Sequence, residues 1–204
     1  MGDLDHRHVI DVIRRATQIA AGSDLGALLE RTLDLYIEVA HAEAGTIYLY
    51  DRQTDELVFR VVQGDAGSRR LLGTRFAASR GIAGAALRSG QPVFVPDVLG
   101  DPRWDRAVGE LSDLQLRTMY CLPLITESGP VGVVQVFNLP PTAVGDDGAG
   151  ELLRLLGDCI VSAIDKTRLL EESRQLLEER ERRARRLRVL GAIQNRLTTT
   201  LDRN

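Results

Sequence analysis

The fold is encoded most clearly in two stretches, GIAGAALRSGQPVFVPDVLGDPRWD at Gly81–Asp105 and CLPLITESGPVGVVQVFN at Cys121–Asn138. The first predicts a glycine-opened helix, a tight turn, a short buried strand and an acidic loop. The second predicts two strands joined by a Glu-Ser-Gly-Pro turn. Because Gly81 and Gly84 are small and permissive, we expect a sharp turn and a helix lying close to a sheet.

The flanking sequence adds a hairpin before this region and helices at both ends. Apolar residues at helical spacing predict helices over about residues 4–21 and 25–40, with Ser23 or Asp24 as the cap between them. Alternation at 45–50 and 56–63 predicts the hairpin. From Glu151 to about Leu201 the helical pattern contains no proline. Roughly 50 helical residues at ~1.5 Å each exceed a single domain, so part of this helix is expected to leave the globular body.

Composition and charge exclude several classes of protein. The chain has 204 residues, 44% of them hydrophobic and 27% charged, with a net charge of −3. This charge predicts no general affinity for nucleic acid, and no apolar run approaches the ~18 residues of a membrane span. We therefore expect a cytoplasmic protein that binds neither nucleic acid nor membrane.

The cysteines and histidines predict neither a metal site nor a cofactor. Cys121 and Cys159 lie in separate apolar runs, which favours buried thiols over a redox pair or metal ligands. His6, His8 and His41 all precede the first strand, and no C-x-x-C or H-E-x-x-H spacing occurs. An enzyme using one of the two thiols is kept as a rival hypothesis.

The acidic loop offers two interpretations of its polar residues. Asp97 and Asp101 could contact a charged ligand, but acceptance of backbone N–H bonds in successive turns is favoured. Trp104, the only tryptophan, could line a cavity or cover the edge of the core, and the sequence leaves both open.

The order of these motifs resembles the GAF domain, a sensory module of signalling proteins. The resemblance runs from about Gly22 to Leu170 and implies an α+β fold, with a central antiparallel sheet of about six strands flanked by helices. It also implies a ligand pocket on the face opposite the terminal helices. The motifs in order are EAGTIYLYD, GIAGAALRSGQPVFVPDV, DPRW, CLPLI, GVVQVFN and a closing helix ending AIDKTRLLEE.

The resemblance divides the chain into three parts. Residues 1–21 are expected to form an N-terminal interaction helix, residues 22–170 the GAF domain, and residues 171–204 a C-terminal signalling helix. Leu190, Leu197 and Asp202 repeat the spacing of Val12, Ile19 and Asp24, so the tail is expected to lead into a further domain.

Comparison with subtypes of the family reduces the number of ligand classes that this chain is expected to bind. Cyclic-nucleotide GAF domains carry an Asn-Lys pair and a later acidic pair, and this chain has Asn138-Leu139 and Asp146-Asp147 at these positions. That partial motif keeps cyclic-nucleotide binding as a less favoured alternative. Bilin-binding relatives carry a Cys-His pair where Arg106-Ala107 stand, and the related methionine sulfoxide reductases carry a cysteine where Ala83 stands.

What remains is a non-catalytic sensor for a small molecule of unknown identity, or a dimerisation scaffold without a ligand. Strand alternation cannot decide which of Met119 and Tyr120 faces the pocket, and all candidates could instead belong to the core. The candidate lining residues are Phe76, Ile82, Phe94, Trp104, Met119 and Tyr120.

The C-terminal helix, residues 171–204, is expected to transmit the signal. Leu169-Leu170 and Leu176-Leu177 lie seven residues apart, and six arginines in Arg180–Arg188 stand among glutamates. This pattern favours a salt-bridged coiled coil over a nucleic-acid patch, and predicts a homodimer formed through the terminal helices. The resemblance places such tails in histidine kinases of two-component systems and related multidomain regulators.

Overall fold

The computed structural model describes residues 6–20, 24–64, 68–105, 114–144 and 149–201. Two compact units are present, Met1–Ile164 and Asp165–Asn204. The helices are α1 (His6–Ala20), α2 (Leu25–Ala40), α3 (Gly81–Ser89) and α4 (Ala149–Leu201), and 3-10 turns occupy Ser68–Leu71 and Pro141–Val144. The strands are β1 (Ala44–Asp51), β2 (Glu56–Gln63), β3 (Arg75–Ala77), β4 (Val93–Val95), β5 (Met119–Thr126) and β6 (Gly129–Phe137).

The strands form one antiparallel sheet in the order β3-β2-β1-β6-β5-β4. The α+β fold with a six-stranded sheet and a long C-terminal helix is therefore confirmed. The two predicted hairpins are present as β1–β2 and β5–β6. The residue pattern did not indicate β3 as a strand, because three residues are too few to show an alternation.

One face of the sheet, here called the helix face, packs against α1, α2 and the first part of α4. Leu29, Leu33 and Tyr36 of α2 are fully buried there. Burial of each large apolar side chain contributes about 1.5–3 kcal/mol, so this layer supplies much of the stability. Asp24 caps α2 by accepting from the backbone N–H groups of Gly26 and Ala27.

The opposite face, here called the loop face, is covered by α3 and by irregular segments. Its core joins residues of β1, β2, α3, β5 and β6 around Tyr48 and Phe59. Both faces of the sheet are thus buried, and the strands are apolar on both sides as a consequence.

A bulge in β2 adjusts which side chains reach the loop face. Ile47 pairs with Val61 and Tyr48 pairs with Phe59, so Arg60 has no partner on β1. The extra residue shifts the alternation by one position. Phe59 and Val62 therefore both contact the loop-face core, although they stand three residues apart.

The terminal helices differ in how much apolar surface they bury. In α1, Val12 and Ala16 are buried, whereas Ile10 and Ile13 are exposed. Helix α4 contributes to both compact units, and the boundary between the units falls at Ile164, where the sequence placed it at residue 170. Within the described residues, no helix is both long enough and apolar enough to cross a membrane.

Candidate functional site

A cavity of about 50 Å³ lies on the loop face over β1, β2 and β6. Residues of the strands form its floor, and Trp104, Leu114 and Leu116 form part of its wall. By comparison, pockets for drug-sized ligands span about 300–1,000 Å³. Among the residues that the structure describes, the lining consists of Ala44, Gly45, Thr46, Tyr48, Phe59, Val62, Gln63, Leu71, Trp104, Leu114, Leu116, Gln135 and Phe137.

The floor of the cavity carries a buried polar pair, Tyr48 and Gln135. The Tyr48 hydroxyl donates to Gln135 Oε1 at 2.8 Å, and burial raises the pKa of this tyrosine. Gln135 Nε2 lies 2.9 Å from Met119 Sδ and 3.0 Å from Cys121 Sγ. Gln135 is only 4% exposed, so these groups form a polar centre within an apolar site. Such convergent polar groups in an apolar site are typical of ligand pockets.

Gln135 occupies this position because of the strand register. It stands directly opposite Thr46 of β1 and Cys121 of β5, in the middle of the sheet. The sequence analysis did not select Gln135 or Tyr48. The available signal was a glutamine among valines in GVVQVFN, since a polar residue in a strand buried on both faces must find partners inside.

Of the six residues predicted to line a pocket, Trp104 lines this cavity. Phe76, Ile82 and Met119 lie in the loop-face core without lining it. Phe76 packs edge-on against Tyr48, with ring centroids 5.4 Å apart, and so helps to fix the position of a residue on the cavity floor.

The other two candidates, Phe94 and Tyr120, pack on the helix face. The sheet therefore separates them from the cavity, and they do not line it. The question left open between Met119 and Tyr120 is answered by the strand register, which turns Met119 to the loop face. Tyr120 packs near Arg154 of α4 instead.

The glycine motif holds α3 against the preceding turn. Gly81 has a φ of +70°, a conformation that side chains rarely adopt. A Cβ at Gly84 would lie 2.5 Å from the carbonyl oxygen of Ala78. The motif therefore serves close packing, as its residues indicated, and its geometry requires no phosphate.

The acidic loop after β4 positions Trp104. Asp97 and Asp101 accept N–H bonds from the backbone of Gly100 and Arg103 respectively, which confirms the favoured interpretation. Asp101 also forms an ion pair with the Arg103 guanidinium at 2.6 Å, and its backbone oxygen accepts from Trp104 N–H at 2.9 Å. The loop is thereby fixed with the tryptophan at the cavity wall.

A second loop anchor is the side chain of Asn138, at the end of β6. Its Oδ1 accepts from Arg117 N–H at 2.7 Å, and its Nδ2 donates to Gln115 O at 2.9 Å and to Glu43 Oε2 at 2.7 Å. Arg117 pairs in turn with Glu43 at 2.5 Å. The hydrogen bond from Asn138 and then the Arg117 guanidinium hold the pKa of Glu43 below its usual value. We call these residues (Glu43, Gln115, Arg117 and Asn138) the Asn138 clasp.

The clasp bears on the partial cyclic-nucleotide motif. The Asn138 side chain is hydrogen-bonded to the segment that contains Leu114 and Leu116. Leu139 is buried in the helix-face core. Asp146 and Asp147, the other two residues of that motif, lie outside the described residues.

Neither cysteine has the properties of a nucleophile. Cys121 is fully buried, and burial raises the pKa of its thiol to about 12. Burial also raises the pKa of Cys159. Since the thiolate is the reactive form, both shifts disfavour it near neutral pH. Among the described residues, no three metal-binding side chains converge.

Comparisons with known proteins agree with this architecture. A curated relative, the dual 3',5'-cyclic-AMP and -GMP phosphodiesterase 11 of Drosophila melanogaster, is 38% identical over 65 residues, which are 31% of this chain and 4% of that protein. The GAF domain of a phosphoenolpyruvate-protein phosphotransferase from Coxiella burnetii superposes with a TM-score of 0.71 at 18% identity, covering 82% of this chain and 99% of that one.

A second solved structure is free methionine-R-sulfoxide reductase from Neisseria meningitidis, in complex with its substrate. It superposes with a TM-score of 0.64 at 25% identity, covering 80% of this chain and 90% of that one. The family model described as the GAF domain matches residues 22–165. The chain therefore belongs to the GAF domain family, as a sensory or regulatory module.

Proposed function

We propose that this module binds a small cytoplasmic ligand in the loop-face cavity and passes its state through a dimeric C-terminal helix. The observation that carries the proposal is the buried Tyr48–Gln135 pair on the floor of an otherwise apolar cavity. Polar groups buried in the middle of a sheet cost stability unless they are fully paired, and sulfur is a weak acceptor for the Gln135 amide. A ligand oxygen would pair that amide better.

The route for transmission is the Asn138 clasp. Leu114 and Leu116 line the cavity, and Arg117 follows them directly. Arg117 is bonded to Asn138, and Thr118 Oγ1 donates to Leu139 O at 2.6 Å. Leu139 packs in the same core as the first part of α4. A ligand that moves Leu116 would therefore act on the connection between β6 and α4.

The proposed dimer uses exposed leucines of the second unit. Leu169, Leu170, Leu176 and Leu177 are 51–64% exposed on α4. Exposed leucines at seven-residue spacing are typical of a helix that packs against a partner helix. A second copy of the chain would cover them.

The proposed module is non-catalytic, because neither thiol is activated in the described structure. Cyclic nucleotides are the less favoured ligands. No described side chain that lines the cavity carries a charge at neutral pH, and a buried phosphate would need a cation. The similarity to a phosphodiesterase covers 31% of this chain and is the observation in favour of that class.

A dimerisation scaffold without a ligand is the second candidate, and the small cavity volume of about 50 Å³ favours it. A thermal-shift screen of metabolites and cyclic nucleotides separates the two, since a ligand at 100 times its Kd adds about 2.7 kcal/mol. Val62→Trp should fill the cavity and abolish any stabilisation. Val58→Trp, on the same strand but outside the lining, should preserve it. If no compound stabilises the chain, the scaffold is favoured.

Dimerisation is tested by light scattering on the full chain. Leu169→Gln combined with Leu176→Gln should shift the equilibrium towards the monomer. The matched control is Leu99→Gln, because Leu99 is 67% exposed but lies in the first unit. Self-association of the double variant as tight as that of the parent chain would exclude these leucines as the main contact.

A further inference from the structure

We infer that the cavity selects an uncharged ligand group whose oxygen accepts a hydrogen bond from the side-chain amide of Gln135. This inference rests on the proposed function, and it specifies the chemical class of the ligand. Three independent features of the site support it: the charge of its lining, the partners of Gln135, and its size.

The first feature is the absence of charge. Within the described ranges, which leave out residues 106–113 between Trp104 and Leu114, the thirteen residues that line the cavity include none with a charged side chain at neutral pH. Transfer of a carboxylate, phosphate or ammonium group into such surroundings, without a paired countercharge, is strongly unfavourable. An amide, ketone or hydroxyl group pays a far smaller desolvation cost.

Three ion pairs are described on the loops that adjoin the cavity. Arg103 binds Asp101, and Arg80 binds Asp105 through two bonds of 2.6 and 2.9 Å. At the other end of the cavity wall, the guanidinium that follows Leu116 is paired with Glu43 in the clasp. Each of these ion pairs has no net charge. A ligand anion would have to break such a pair to gain the cation that it holds.

The second feature is the weak bonding of the Gln135 amide. Its oxygen accepts a bond from the Tyr48 hydroxyl at 2.8 Å. Its nitrogen contacts only sulfur acceptors among its described hydrogen bonds, Met119 Sδ and Cys121 Sγ. A carbonyl or hydroxyl oxygen accepts more strongly than thioether or thiol sulfur. A ligand oxygen that replaces one of these sulfur acceptors would therefore give the amide a stronger hydrogen bond.

The third feature is size. The cavity volume of about 50 Å³ is well below the ~300–1,000 Å³ of pockets for drug-sized ligands. The group that enters is therefore small. It is either a whole small molecule or one end of a larger one.

The experiment uses three probes of equal size and different charge: acetamide, acetate and acetamidinium. Binding to the full chain is followed by NMR, through the side-chain amide signals of Gln135. Acetamide should shift these signals saturably with a millimolar Kd, as a fragment of about four heavy atoms allows. Acetate and acetamidinium should bind at least tenfold more weakly.

Paired variants identify the recognising group. Gln135→Met combined with Tyr48→Phe removes both polar partners and leaves no orphaned donor, and acetamide affinity should fall at least tenfold. Gln53→Met is the matched control, because Gln53 lies in the exposed turn between β1 and β2 and is not among the described lining residues. It should keep the parent affinity. If the double variant fails to fold, a nuclear Overhauser effect from the acetamide methyl to the Gln135 amide in the parent chain tests the same contact.

Acetate or acetamidinium binding as tightly as acetamide would overturn the inference, as would an unchanged acetamide affinity in the folded double variant. A charged metabolite that stabilises the parent chain but not Val62→Trp would also overturn it, while the proposed sensory function would stand. Conversely, selective acetamide binding without any effect of ligands on α4 would support the inference and count against the proposed transmission.

Discussion

Asn138 should stabilise the domain through its side chain and through its backbone conformation, and three substitutions separate the two contributions. Asn138 has a φ of +57°, in the left-handed region that asparagine tolerates better than most residues. Its side chain makes three hydrogen bonds to Glu43, Gln115 and Arg117. Asn138→Gly keeps the conformation and removes the bonds, whereas Asn138→Ala removes the bonds and adds backbone strain.

The expected magnitudes follow from these contacts. Loss of a hydrogen bond costs about 0.5–1.5 kcal/mol, and the bond to the exposed Glu43 counts least, so Asn138→Gly should cost about 2 kcal/mol. The left-handed conformation should cost alanine about 1 kcal/mol more. Asn138→Asp keeps an acceptor for Arg117 N–H but places a second carboxylate beside Glu43. We expect this variant to be less stable than the parent at neutral pH and to lose part of that difference in acid.

Urea unfolding followed by Trp104 fluorescence is the suitable assay, since Trp104 is the only tryptophan and packs against the loop-face core. A loss of 2–3 kcal/mol corresponds to a fall in Tm of about 4–12 °C for a chain of this size. His41→Ala is the matched control. His41 also has a positive φ, of 48°, at the end of α2, so its substitution measures the backbone cost alone. The reasoning would be refuted if Asn138→Ala lost less than about 0.5 kcal/mol, or if Asn138→Gly were less stable than Asn138→Ala.

Three further predictions concern packing, acid stability and thiol reactivity. Gly84→Ala should destabilise the domain by about 1–3 kcal/mol in the same urea titration, because its Cβ would clash with a backbone carbonyl at 2.5 Å. Gly26→Ala is the control: its nearest contact would be at 3.5 Å, so it should be neutral or slightly stabilising. The folded pKa of Glu43 is lowered, so its contribution to stability is present above its unfolded pKa of about 4.3 and is lost as the pH falls through the folded value. Glu43→Gln should therefore flatten the acid limb of the unfolding free energy, and an unchanged limb would contradict this. In the variant Cys159→Ser, Cys121 is the remaining thiol, and its pKa is raised to about 12. It should therefore react with a disulfide reagent at pH 8 only when the protein unfolds. Rapid reaction of the folded variant would contradict the burial of Cys121.

The sequence predicted the elements of this fold better than the faces of its strands. Strand β2 lies at the predicted residues Glu56–Gln63, and β5 and β6 form the second predicted hairpin. Glycine and proline mark the ends of these elements, and those signals are local. By contrast, Met119, Tyr120, Cys121 and Leu122 are all buried, because helices cover one side of the sheet and loops the other. A strand buried on both faces has no polar alternation from which its orientation could be deduced.

The candidate site was harder to predict for the same reason. Phe94 and Tyr120 were selected as large apolar residues near the family motifs, but size carries no information about which face a residue occupies. The bulge at Arg60 shifts β2 by one position, and only the pairing with β1 reveals it. Tyr48 and Gln135 become partners through a diagonal contact between β1 and β6, at a separation of 87 residues. Nothing local in either segment indicates that contact.

Asn138 has a structural role that the family resemblance did not indicate. The resemblance assigned it to a partial cyclic-nucleotide signature, whereas its three side-chain bonds tie β6 to the segment that lines the cavity. Gln135 and Asn138 stand three residues apart on this strand, one on the cavity floor and the other at the start of the connection to α4. A ligand that engages Gln135 must share the cavity with Leu116, and Leu116 cannot move far without straining the bond between Arg117 and Asn138. In the proposed function, coupling between the cavity and α4 would need no long chain of contacts, because Gln135 lies near the end of β6 and Asn138 directly follows that strand.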